Sequence, residues 1–552
     1  MIQKIVLCLA VGLCSLVVSA KDTLTYCSPF DFPLYLSANF GELRPNHFHN
    51  GLDIKTKGTV GHPIRCIADG YVVRVVVQHG GYGQAIYVAH PNGQTSVYGH
   101  IIRFAPQVEK FIREYQYAHE TFVCNLYPKS EQFPVKQGDI IAWSGNEGSS
   151  GGPHLHLELR KTGTDEYLNP MPYYKKFLKD HKAPVANMLA VYPVPGKGVV
   201  EGSGRKKLLP IASEAKVVHA WGEIYTGISA KDLMDETSNI YGVHSVTLYV
   251  DSTKVFQSVT DAVLPDENRM INSFVDYDER VHSRRWIMRS YKAPGNRLRM
   301  LNVGPGRGVV CIDEERNYRF RYVLEDDFGN RRTYRLTVRG KKQEIPEEPS
   351  AEGEWLKFAQ TNVINRPGLE LVIPKGFVYE DVPLKVEVMG DSLGASSHYK
   401  LDAGKTPFHS YCPLAIGIRK MPVADTRKYY IRQQDGSWVA SAGGVVQDGW
   451  IRTKIRSLGT FSVEIDTVPP VITPLGKEKW RSTRNIRFKV KDTASGIDTY
   501  KVHVDGKFVL FGLKKGILVI QDKEKIKKGV PHKLEVTVTD CCGNECKKQF
   551  KF

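Results

Sequence analysis

Pro153-His154-Leu155-His156-Leu157-Glu158-Leu159-Arg160 alternates polar and apolar side chains without a break from His154 onward. Period two is the spacing of a β-strand, whose successive side chains point to opposite faces. His154, His156, Glu158 and Arg160 therefore share one face, and the three leucines cover the other. Two imidazoles side by side above an apolar layer are a costly arrangement for surface decoration. On this stretch alone, a half-exposed strand with incidental histidines stays open as the plainer reading.

The flanks have the same texture. Tyr71–Val77, Gln84–His90 and Thr95–His100 are rich in valine, isoleucine and tyrosine. Gly80-Gly81-Tyr82-Gly83 and Pro91-Asn92-Gly93 separate them with turn chemistry. Strand signals resume at Asp139–Ser144 and Leu155–Arg160. In between, Phe104, Val108, Phe111, Ile112 and Tyr115 recur at helical spacing, with Glu109, Lys110, Arg113 and Glu114 among them. The expectation is a small antiparallel β domain interrupted by one helix.

Two further pieces carry chemistry. His49-Asn50-Gly51-Leu52-Asp53 offers an imidazole and a carboxylate, both suitable zinc donors, and a catalytic zinc keeps three protein ligands plus a water. Gly51 and Gly58 argue against a helix, so a turn leading into a strand is expected. Tyr98-Gly99-His100 ends a β run, with Tyr98 and His100 expected on the same face. Each piece is weak alone; the order of all three within one glycine-turned domain is what gives them weight. His47 lies two residues before His49 and can be mistaken for a ligand. His62, His79, His90 and His119 read as solvated structural residues. No His-Glu-x-x-His helix is present, and Gly148-Ser149-Ser150-Gly151-Gly152 lacks the lysine and following helix of a phosphate loop.

The chain as a whole fits an exported multidomain protein. Its 552 residues exceed one core, and hydrophobic and charged contents of 41% and 24% are those of soluble globular protein. Lys+Arg of 76 against Asp+Glu of 59 gives +17, which suits an acidic partner. No basic cluster is interleaved with aromatics, so nucleic acid is not expected. Lys4, the apolar run Ile5–Val18 and Val18-Ser19-Ala20 read as a signal peptide over 1–20, with the protein in the periplasm or cell envelope, or secreted. Cys8 and Cys14 each follow leucine, which disfavours a lipoprotein. No transmembrane segment is expected in the mature chain. The other eight cysteines are open to disulfides of unknown pairing, and the Cys541, Cys542, Cys546 cluster reads as a disulfide or free thiols rather than a zinc knuckle.

Composition shifts divide the remainder into 21–180, a β-sandwich-like domain at 181–343, a β domain of uncertain type at 354–466 and an immunoglobulin-like β domain at 467–552. Lys341–Gly353 reads as a linker and Asp466–Pro470 as a rigid joint. Gly242–Asp251 resembles Gly496–Asp505, and Asp326-Asp327-Phe328-Gly329-Asn330 resembles Asp540-Cys541-Cys542-Gly543-Asn544. Two units with the same opening and closing strands point to repeated sandwich modules that look like bacterial immunoglobulin-like domains. The fold class is thus mainly β throughout.

Phe48–Asp53, Tyr98–His100 and Gly151–His156, framed by Ala68–Val72 and Gly138–Asn146, resemble the lysostaphin-type zinc endopeptidases of peptidoglycan over residues 35 to 175. The resemblance implies that His49, Asp53 and His156 hold one zinc ion and that His100 and His154 are catalytic without being ligands. It implies hydrolysis of cross-link peptides: zinc polarises the carbonyl and acidifies its bound water, and two histidines move protons. Which histidine is the base stays open, and Glu158 is expected to orient or support. The segment 102–135 departs from shorter relatives and is expected to form a wall or lid beside the groove. A non-enzymatic scaffold or activator of other wall hydrolases is the competing class; it predicts lost ligands. The β modules are expected to be spacers, with a wall or surface partner as the alternative.

Overall fold

The computed structural model describes residues 25–211, 217–347 and 353–552; the expected signal peptide lies outside them. It is a mainly β protein, and the alternating stretch is the middle of its first sheet. We number the strands that matter as β1 (Leu36–Ala38), β2 (Leu52–Lys55), β3 (Gly70–Val77), β4 (Gln84–Ala89), β5 (Gln94–Gly99), β6 (Cys124–Leu126) and β7 (His154–Lys161), with α1 spanning Pro106–Ala118. They run antiparallel in the order β1-β2-β7-β5-β4-β3-β6. β7 is central, and His156 stands opposite Asp53 on one side and Gly99 on the other.

The alternation has the expected consequence. Leu155, Leu157 and Leu159 are fully buried with Ile54, Val72, Val75, Ile86 and Val88. Each buried leucine contributes about 1.5–3 kcal/mol, and Leu157→Ala would cost roughly 2–5 kcal/mol by leaving a cavity under the site. The opposite face carries His154, His156, Glu158 and Arg160.

The helix starts later than its periodicity suggests. Pro106 occupies the first turn, where its missing N–H costs nothing, and Ala105 before it is extended. Phe104 instead pairs with Ala142 in a small three-stranded sheet. The expectation that 102–135 walls the groove is not met. Val108 and Ile112 join the leucine-side core, beneath the sheet. Cys124–Leu126 extends the sheet at β3, four strands from β7 and so about 19 Å away at ordinary strand spacing. The outer face of α1 packs on the last module: Tyr117 donates to Asp522 at 2.9 Å, and Glu120 meets Lys501 at 2.8 Å.

Beyond residue 184 the chain remains β. One continuous ten-stranded sheet runs between Val185 and Gly340 over a large core and a small separate cluster of Ala190, Tyr192 and Ile287, so this part is not two separate sheets. Its long strands Val185–Val200 and Val217–Lys231 bend at register shifts between Ala186 and Met188 and between Pro193 and Gly198. Residues from Glu354 to Ile465 form a six- and a five-stranded sheet over one core, and Val471 to Lys551 form two four-stranded sheets over another. Cys27, Cys66, Cys124, Cys311, Cys412, Cys541, Cys542 and Cys546 are all free thiols. Among the described residues no helix is long and apolar enough to cross a membrane.

Candidate metal centre

Three side chains converge on the polar face of the sheet. Strand pairing places Asp53 of β2 against His156 of β7. His49 reaches the same point from the loop before β2. That loop needs Gly51: a Cβ there would meet the Leu157 carbonyl oxygen at 2.4 Å. His49 Nε2 lies 3.0 Å from Asp53 Oδ1 and 3.1 Å from His156 Nδ1, and His156 Nδ1 lies 2.8 Å from Asp53 Oδ1. All three residues are buried, at 6%, 8% and 6% exposure for His49, Asp53 and His156.

The outer ring nitrogens decide what the inner ones can do. His49 Nδ1 is 2.7 Å from the Asn39 carbonyl, and His156 Nε2 is 2.8 Å from the Glu158 carboxylate. Both partners accept only, so those nitrogens carry the protons. In the neutral rings, His49 Nε2, His156 Nδ1 and Asp53 Oδ1 then point three lone pairs at one another. A cation must hold them together. The separations are close to the roughly 3.3–3.4 Å edges of a tetrahedron with zinc-like bonds. The donor set therefore fits zinc, with two imidazoles and one carboxylate and each imidazole fixed from behind.

Electrostatics agree. Burial opposes charge on His156, yet bonding to Asp53 and Glu158 outweighs it and pulls the ring up to about 9. Burial likewise opposes charge on Asp53, but the surrounding histidines hold its carboxyl well below the usual range. Without a metal, a proton serves as the cation; with one, the proton is displaced. Glu158 is fully buried, and there burial is overcome by Arg160 and then His156, which bring it down to about 2. Arg160 binds it at 2.7 Å and the Tyr82 hydroxyl donates to it at 2.5 Å. A buried carboxylate without those partners would be strongly destabilising. The Arg44 guanidinium lies 3.6 Å from the other oxygen of Asp53.

His100 and His154 stand beside this triad, their ring centroids 4.7 Å apart, and His100 is 5.9 Å from His156. Tyr98 and His100 do not share a face. Tyr98 is fully buried in the leucine-side core, its hydroxyl accepting from the Ile67 amide at 2.9 Å. The strand ends at Gly99, and His100 has φ +59°, a left-handed turn that breaks the alternation and swings its ring to the metal side. His100 donates Nδ1–H to the Glu147 carbonyl at 2.8 Å, and His154 donates Nδ1–H to that of Gly152 at 2.8 Å. The loop over 145–153 thus fixes both tautomers and leaves each Nε2 with the lone pair; that of His154 is 3.4 Å from Asp53 Oδ1. Burial, then the neighbouring His156 and His154, lower His100 to about 4, so it is neutral near pH 7.

The remaining histidines stay apart. His47 is exposed and bonds the Pro45 carbonyl. His62 bonds Thr59, His79 stacks on Phe122, His90 lies between the Asp69 carbonyl and Ser96, and His119 bonds the Tyr115 carbonyl. Asn39, Arg44 and Tyr82 are contacts that sequence reasoning missed. No short motif marks them, although Tyr82 sits in the glycine turn already noted.

Comparison with known proteins leads to the same domain. Residues 47–118 match the family described as Peptidase family M23, and residues 353–466 match the Zu5-like domain. DD-carboxypeptidase/endopeptidase Mpg of Neisseria meningitidis serogroup B is 31% identical over 123 residues, 22% of this chain and 22% of its own length. An uncharacterized metalloprotease of Haemophilus influenzae is 32% identical over 131 residues, 24% of this chain and 21% of its own length. The chain thus spans about a fifth of the length of the curated relatives it matches. The catalytic domain of lysostaphin from Staphylococcus simulans is 23% identical, covering 25% of this chain and 89% of that one, with a TM-score of 0.19. The segment similar to Peptidase family M23 thus falls in the β domain that carries the candidate metal centre. The matched segment holds His49, Asp53 and His100; the fold brings His154 and His156 to them.

Proposed function

We propose that this chain is an exported zinc metalloendopeptidase that hydrolyses cross-link peptides of peptidoglycan. The observation that carries the reading is the convergence of three lone pairs, from His49, Asp53 and His156, whose outer atoms are already committed. Bound there, zinc supplies a Lewis acid for the scissile carbonyl and lowers the pKa of a water.

The chain's own residues do the rest. His100 begins neutral with its Nε2 lone pair free, which suits it to accept the attacking water's proton. His154, its ring centroid 4.7 Å from that of His100, suits proton delivery to the leaving amine. Glu158, Arg160 and Tyr82 keep His156 in its tautomer, and Asn39 does the same for His49. Positive net charge favours the approach of an anionic wall polymer.

The test is zinc content together with hydrolysis of purified peptidoglycan by the wild type and His49→Ala. The wild type should hold one zinc per chain and release peptides; His49→Ala should do neither. A zinc-loaded wild type that leaves peptidoglycan intact would favour the non-enzymatic activator class instead.

A further inference from the structure

A second triad lies where the peptidase domain meets the module that follows it. Asp180 is in the connecting segment, Asp232 follows the strand Val217–Lys231, and Asp326 opens the turn Asp326-Asp327-Phe328-Gly329-Asn330. Each offers a carboxylate oxygen within 4.8 Å of the other two, and all three side chains are buried. Asp326 is fully engaged, accepting from the Phe328 and Asn330 amides and from Asn330 Nδ2, each at 2.8 Å. The other two are not. Asp180 Oδ2 and Asp232 Oδ1 have no hydrogen-bond partner, although the residues are only 6% and 4% exposed. An orphaned buried carboxylate oxygen is expensive, and two in one cluster repel each other.

The internal repeat supplies a control. In the last module, Asp466, Asp492 and Asp540 occupy the matching places. There the oxygens are used: Asp466 Oδ2 accepts from the Ser495 amide at 3.1 Å and hydroxyl at 2.6 Å, and Asp492 Oδ2 accepts from Ala494 and Gly496 at 2.9 and 2.7 Å. Repeat alignment puts Tyr241 where Ser495 stands. The Tyr241 hydroxyl is spent on Thr237 and the Leu36 carbonyl, so the donor that fills the later cluster is missing from the earlier one. The difference is specific to Asp180 and Asp232 and not a general property of the turn.

We infer that Asp180, Asp232 and Asp326 bind a hard divalent cation, calcium, at the joint between the peptidase domain and the next module. Oxygen-only donors of full negative charge suit calcium and not zinc. Burial and the neighbouring carboxylates push Asp180 up to about 6 and Asp232 up to about 8, the cost such a cluster bears without a cation. The same turn grips the peptidase side. Asn330 Nδ2 donates to the Asp180 carbonyl, Asn169 Nδ2 to Asp327 at 2.8 Å, and Phe328 packs against the peptidase core. A cation there ties three chain segments together and fixes the angle at which the modules leave the peptidase. The site does not depend on the hydrolytic reading.

Equilibrium dialysis of the full, zinc-loaded chain with radioactive calcium tests it. The expected result is one saturable site per chain, of the order of 10⁻⁴–10⁻³ M as in extracellular calcium modules. Asp232→Asn and Asp180→Asn should each weaken it at least tenfold, magnesium should compete poorly, and Asp492→Asn should leave it intact. Circular dichroism checks that each isosteric variant is folded. Limited proteolysis of the wild type provides a readout that needs no variant: calcium should slow cleavage near residues 178–184. Absence of saturable binding up to about 10 mM calcium would overturn the inference and assign the cluster a shared proton or a water. Binding unchanged in both Asp180→Asn and Asp232→Asn would overturn it equally.

Discussion

Of the three clusters of ligand-bearing side chains among the described residues, two differ most in which atoms face inward. In His49–Asp53–His156 the inward atoms are two imidazole nitrogens and one carboxylate oxygen, and both imidazoles are held from behind by Asn39 and Glu158. In Asp180–Asp232–Asp326 every donor is an oxygen, and two of the oxygens have no partner. The first arrangement favours a borderline metal with an open position and positions two more histidines beside it. The second favours a hard cation and positions nothing reactive. The difference teaches that clustering alone does not define a site. What each donor's outer atom is doing decides the metal and the role.

The largest expected effect separates the two clusters. Asp53→Ala or His156→Ala should lose zinc and drop peptidoglycan hydrolysis to background, as metal analysis and a turbidity assay would show. A variant that keeps both would remove the zinc assignment. His100→Ala and His154→Ala should retain zinc yet lower kcat by about 10²–10⁴; a loss of zinc in either would make that residue a ligand. Glu158→Gln keeps an acceptor for His156 but removes the charge, and should weaken zinc by roughly 10–100-fold. Unchanged affinity would make the Glu158–Arg160–Tyr82 network a matter of packing alone. The smallest effect is the most diagnostic of independence. Calcium should raise Tm by about 2–4 °C at saturating concentration, and should do so equally in His156→Ala, because that variant touches only the first cluster.

How much of this was legible in the sequence depends on the range over which the signal acts. The β7 strand was readable because period two is local, and so the leucine and histidine faces came out correctly. The place of His100 beside the metal is implied by the resemblance and not by the strand that precedes it. Its alternation with Tyr98 does not survive a positive φ after Gly99, and a histidine gives only a weak sign of such a turn. The helix in 102–135 was visible from its apolar spacing, whereas the packing of its outer face on the last module rests on Asp522 and Lys501, some four hundred residues on. Asp180, Asp232 and Asp326 are each ordinary in sequence, and only folding of a ten-stranded sheet brings them together. The repeat of Asp326–Asn330 in Asp540–Asn544 was the one trace of them.

The central claim is that this chain hydrolyses a peptide bond in peptidoglycan with its zinc site intact. Mass spectrometry of muropeptides released from purified peptidoglycan, by the wild type and by zinc-retaining His154→Ala, tests it most directly. New free amino and carboxyl termini at a cross-link are expected for the wild type and almost none for His154→Ala. Intact cross-links after digestion by wild type carrying one zinc per chain would contradict it.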